Sequence, residues 1–102
     1  MSKGSIPYEE STLYPLLHDD EFAANYLTEC LHDTEPALFL LALRQITEAR
    51  NIKMTGLAQA TGLDRAGLYR MLSEKGNPEL SSLNTLLDAL GFEIAIKTKA
   101  VG

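Results

Sequence analysis

The sequence predicts an all-α fold: one five-helix domain containing a helix-turn-helix, followed by a short C-terminal β-strand that pairs in a dimer. Three observations carry this expectation. Apolar residues recur at spacings of three and four from Phe22 to Leu90. Glycine, proline and short capping residues cut that pattern into helix-length pieces. Beyond Gly91 the period changes to two.

The 102 residues suit a single compact domain, and a hydrophobic share of 45% is enough for a modest core. Residues 1–18 place Gly4, Pro7 and Pro15 among polar neighbours and keep no period, so a partly ordered N-terminal arm is expected, with Tyr8, Leu13, Tyr14 and Leu16 available to anchor it. The helical domain then spans residues 19–91. Asp19 or Asp20 is suited to cap a first helix, along which Phe22, Tyr26 and Cys30 run beside Ala23, Leu27 and Leu31 beneath an acidic outer face. Asp33-Thr34-Glu35-Pro36 ends that helix and begins the next, with Thr34 as cap and Pro36 in a first turn where amide protons have no partner. The second helix, 36–50, carries a broad stripe of Leu38, Phe39, Ala42, Leu43 and Ile46 and reads as the central core helix.

Two short helices follow at about 55–61 and 64–74, separated by Gly62-Leu63 and stopped by Gly76-Asn77-Pro78, with Gly76 as C-cap. A last helix at about 81–90 turns Leu83, Leu86, Leu87 and Leu90 inward and stops at Gly91. In the tail, 92–102, Phe92, Ile94 and Ile96 alternate with Glu93, Ala95 and Lys97. No other stretch reads as a strand, so this one is expected to find its partner in a second subunit; a tail lying unpaired on its own core is the alternative.

Composition excludes several classes of function. The longest apolar run, 37–43, is seven residues, against the roughly 20 that span a bilayer. The amino terminus also lacks a cationic-then-apolar leader. A cytoplasmic protein without a membrane partner is expected. Cys30 is the sole cysteine, which leaves no intramolecular disulfide and no zinc-binding pair, and His18 and His32 lie apart without matching ligands. Neither a metal nor a cofactor is expected. With no nucleophile-and-base pair, and with Gly4, Gly56 and Gly62 too scattered for a phosphate loop, the sequence does not read as an enzyme.

Net charge is −5, which at first opposes nucleic-acid binding, but its distribution is uneven. Residues 1–35 hold Lys3 against eight acids, whereas residues 36–102 hold eight bases and six acids. Such asymmetry suits two surfaces with different partners; an acidic face serving only solubility is the bland alternative.

The informative segment is 57–72. Ala58 is small where two helices cross, Gly62 serves the tight turn, Leu63 plugs the angle and Asp64 caps the second helix. Leu68, Met71 and Leu72 then face the core. This leaves Arg65, Ala66, Tyr69 and Arg70 outward, where a recognition helix offers side chains to bases in the major groove. Lys53, Thr55, Lys75 and Asn77 flank the motif as candidate phosphate contacts. Gly67, costly by about 1 kcal/mol inside a helix, implies close approach to something, either a DNA backbone or a tightly packed neighbour.

Ala58 through Gly62, the capped second helix, and Gly76-Asn77-Pro78 followed by Leu80, Leu83 and Ala89-Leu90-Gly91 resemble an Xre/Cro-type helix-turn-helix, with its Cro/repressor-like fold. Tyr26-Leu27, Pro36-Ala37-Leu38, Ala42-Leu43-Arg44, Gly62-Leu63, Leu68-Tyr69 and Gly76-Asn77-Pro78 extend the likeness to the addiction-module antidotes, HigA-like antitoxins. The resemblance implies a transcriptional repressor that binds an operator in double-stranded DNA, neutralises a small basic RelE/HigB-type ribonuclease toxin and autoregulates their shared operon. Met54 stands where the Xre pattern often has a phosphate-binding glutamine; Thr55, as the cap of a shortened helix, is the expected substitute. A free-standing Cro-like regulator without a toxin is the competing expectation. The acidic N-terminal third favours the antitoxin, since it complements a basic partner.

Overall fold

The computed structural model describes residues 10–33, 35–73 and 75–100. Six helices follow one another: α1 (Glu10–Leu16), α2 (Asp20–Leu31), α3 (Pro36–Ala49), α4 (Met54–Thr61), α5 (Arg65–Met71) and α6 (Leu80–Leu90). The first is one more than the sequence predicts, and it lies within the segment expected to be an arm. Leu13 and Leu17, one helical turn apart, are both fully buried, which ties α1 to α3. Its anchors are therefore Leu13 and Leu17, whereas Leu16 remains 38% exposed. The Tyr14 hydroxyl adds a 2.6 Å hydrogen bond to Glu48 Oε1. Of the other expected anchors, Tyr8 lies outside the described residues.

The central position of α3 follows from its composition. Phe39, Leu40, Ala42, Leu43, Gln45, Ile46 and Thr47 are all buried, more than one helix face can hold, so α1 and α2 cover it together. Gln45 is satisfied inside that core because Tyr26 on α2 donates its hydroxyl to Gln45 Oε1 at 2.8 Å. Pro36 occupies the first helical positions of α3 as expected; Thr34, the expected cap, lies outside the described residues. At α2 the cap position falls to Asp19, but its side chain bonds no helix amide. The Asp20 carboxylate turns instead to Arg50 at 3.0 Å.

Two helix ends use the same device. Asn51 takes φ 56°, so that Asn51 N donates to Glu48 O and Ile52 N to Thr47 O at 3.1 and 2.8 Å. At Gly91, with φ 91°, Gly91 N donates to Asp88 O and Phe92 N to Leu87 O at 3.1 and 2.8 Å. Each pair satisfies terminal carbonyls and reverses the chain through one left-handed residue, a conformation that glycine adopts freely and asparagine tolerates.

The second reversal sets where the tail begins. Phe92, expected as a dimer residue, is half-buried against the chain's own core in the single chain, where Arg50 stacks over its ring. No strand forms among the described residues, and 92–100 have no regular structure in the single chain.

Candidate nucleic-acid interface

Helices α4 and α5 meet at a turn whose chemistry is local. Gly62 has φ 77° and donates its amide to Ala58 O at 2.9 Å, so the helix stops where a side chain would be strained. The Thr61 hydroxyl accepts from Leu63 N at 3.1 Å, which guides half-buried Leu63 toward the core. Asp64 then caps α5, accepting from Gly67 N at 3.1 Å.

That cap also explains Gly67. A Cβ built there would lie 2.5 Å from Asp64 Oδ1, so the close approach anticipated from the sequence is to the helix's own capping carboxylate. A methyl group there would force the capping side chain to shift.

Helix α5 buries Leu68 and Met71 and leaves Arg65, Ala66, Tyr69 and Arg70 exposed on its outer side, Tyr69 at 55%. All four expected base-facing residues thus share one accessible surface. Among the described residues the ion pair shown is that of Arg50 with Asp20, leaving the guanidinium groups of Arg65 and Arg70 available.

The flanking residues divide into two places. Lys75 and Asn77 join Arg70 along an open groove of about 600 Å³ between α5 and the start of α6. Its lining also includes the Asp64 and Glu79 carboxylates, which temper its attraction for anions. Lys53 and Thr55 instead stand exposed at the start of α4. Lys53 holds the cap position there, so Thr55 lies within the first turn and does not cap a shortened helix.

The loop bordering the groove departs from expectation as well. Helix α5 ends at Met71 and not near residue 74, because Ser73 turns both its amide and its hydroxyl back to Arg70 O, at 3.2 and 2.7 Å. Gly76 does not cap the helix; it closes a turn by donating to Ser73 O at 2.9 Å. Any side chain at Gly76 would collide with the carbonyl of Met71, so its glycine follows from the chain folding back over the end of α5.

Among the described residues no group of three or more His, Cys, Asp or Glu is placed to hold a metal ion, and no helix is long and apolar enough to cross a membrane. Cys30 is half-buried, and burial pushes its thiol above the ordinary range, with Asp33 and Glu29 adding to the shift. The raised value disfavours the nucleophilic thiolate.

What the sequence did not reveal is Arg50 as an organising residue. Its Nε donates to Leu17 O at 2.9 Å and its Nη2 to Asp20 Oδ1 at 3.0 Å, while the guanidinium covers Phe92. Periodicity carries no signal for such a contact, since its partners lie about thirty to forty residues away in either direction.

Fold and surface together define a small protein whose regular structure, among the described residues, is all helical, with exposed Arg65 and Arg70 directly after a tight turn between two short helices. The family profile described as "Probable addiction module antidote protein" matches residues 9–98, and the chain belongs to that family. It is 35% identical over 81 residues to an uncharacterized protein of Haemophilus influenzae, an alignment covering 79% of this chain and 81% of the relative. No solved structure matches the chain significantly. Membership gives the chain an antidote role, which implies a toxin as its partner.

Proposed function

We propose that the chain is a DNA-binding antitoxin that represses its own operon as a homodimer and neutralises a small basic ribonuclease of the RelE/HigB type. The observation that carries the DNA reading is the common exposure of Arg65, Ala66, Tyr69 and Arg70 on α5, directly after the glycine turn and the Asp64 cap. In this reading α5 enters the major groove, where Arg65 and Arg70 present paired donors to guanine edges and Tyr69 packs against bases. Lys53, Thr55, Lys75 and Asn77 contact phosphates on either side and fix the docking without reading sequence.

The toxin reading rests on the family and on charge. Antidote membership implies a toxin, and the acidic excess of residues 1–35 provides electrostatic complementarity to a basic one. This also favours the antitoxin over a free-standing Cro-like regulator. Dimerisation involves the tail, with Ile94 and Ile96 as its exposed apolar residues and Phe92 as the anchor that positions them. Two α5 helices then read half-sites about 34 Å apart on one face of the duplex.

The test is binding of the purified chain to its own upstream DNA across a salt series. Specific binding with a steep salt slope, abolished by Arg65→Ala with Arg70→Ala, supports the repressor. Absence of specific binding by the wild type would leave a protein partner alone.

A further inference from the structure

The tail beyond Phe92 combines three properties. Among the described residues its backbone makes no hydrogen bond from Glu93 to Ala100, the last bond being Phe92 N to Leu87 O. Its alternating apolar face becomes progressively exposed: Phe92 is half-buried, Ile94 is 40% exposed and Ile96 96%. The other face carries Glu93, Ala95 and Lys97, opposite charges placed symmetrically about a small residue. A tail whose backbone is unbonded and whose isoleucine is nearly bare is open to pairing with another chain.

We infer that residues 93–97 form an antiparallel two-stranded ladder with the same residues of a second copy of this chain, with the molecular two-fold axis passing through Ala95. This rests on the homodimer proposed above and specifies its register. A two-fold axis perpendicular to a ladder makes cross-strand neighbours share a face, so the axis must pass through a residue position and not between two. Centred on Ala95, Glu93 faces Lys97 of the partner subunit, and Lys97 faces Glu93 of the partner subunit. Ile94 and Ile96 pair reciprocally on the other face, continuing the apolar surface begun by Phe92. Moving the centre to Ile94 sets Glu93 against alanine, and moving it to Ile96 sets Ile94 against Thr98; each move loses the paired charges or the paired isoleucines. The symmetric register therefore satisfies backbone, charge and apolar surface together.

The experiment uses the full chain in a Cys30→Ser background, with sedimentation equilibrium and oxidative crosslinking as readouts. Glu93→Lys and Lys97→Glu each set like charges opposite one another twice per dimer, and each is expected to weaken dimerisation about tenfold or more. The double exchange restores opposite pairing and returns the affinity to near wild type. Ala95→Cys crosslinks readily to its twin at the axis, whereas Thr98→Cys, whose twin stands about 20 Å away along the ladder, does not. A wild type that remains monomeric overturns both the dimer and its register. A stable dimer in which both charge exchanges are silent and Ala95→Cys fails to crosslink overturns the register and leaves a dimer built elsewhere.

Discussion

The guanidinium of Arg50 lies 5.5 Å from the centroid of the Phe92 ring. The same side chain holds Leu17 O at the end of α1 and Asp20 at the start of α2, so one residue at the end of α3 fastens both the N-terminal helix and the tail. Arg50→Met should lower stability by about 1–3 kcal/mol, mainly through the lost carbonyl bond and cation–π contact. Little of that belongs to the ion pair, because Asp20 is 85% exposed and water screens it. Urea unfolding checks the total, and the coupling between Arg50→Met and Phe92→Leu isolates the ring contact.

Helix α1 is part of the core. Leu13→Ala and Leu17→Ala each remove a fully buried side chain and should cost about 2–5 kcal/mol. An exposed change on the same helix, Thr12→Ala, should have little effect. Equilibrium denaturation of the three variants makes the comparison; small losses at both leucines would show that α1 does not dock.

The Asp64 cap and Gly67 should behave as a coupled pair. Asp64→Ala loses the bond to Gly67 N, at about 1 kcal/mol. Gly67→Ala alone should fail to yield the helix-propensity gain of about 1 kcal/mol, because its methyl meets the capping carboxylate. In the Asp64→Ala background that obstruction is gone, and the same alanine should stabilise. A thermal-melt cycle over the four proteins reads the change of sign.

Tyr26 predicts a pH dependence. Burial, and after it the charge of Cys30, raises its phenol above the ordinary value of 10.0. The folded chain keeps a proton that the unfolded chain releases, so this contribution is complete below about pH 10 and declines as pH rises beyond it. Urea midpoints from about pH 9 to about pH 11 should fall more steeply for wild type than for Tyr26→Phe. At neutral pH Tyr26→Phe itself should cost about 1–3 kcal/mol, because buried Gln45 Oε1 loses its donor.

Local chemistry made much of the fold legible in advance. The glycine turn at 62, the Asp64 cap, Pro36 in a first turn and the stop at Gly91 involve only neighbours in sequence, and they recur in the structure where the residue types require them. The apolar stripe of α3 announced its central burial for the same reason. Helix α1 escaped because Pro15 and short length obscured a signal resting on just Leu13 and Leu17, and its stability comes from α3 and not from its own turns.

The sequence by itself determined the turn at Gly62, the Asp64 cap, the stop at Gly91 and which side of α5 is left polar, since those follow from backbone sterics and the 3.6-residue period. Only the tertiary structure decided that Phe92 returns to its own core while Ile96 does not, that Arg70, Lys75 and Asn77 share one groove while Lys53 and Thr55 stand apart, and that Gly67 yields space to a cap. Each depends on distance in space between atoms, sometimes from residues far apart along the chain, and periodicity along the chain carries no record of that distance.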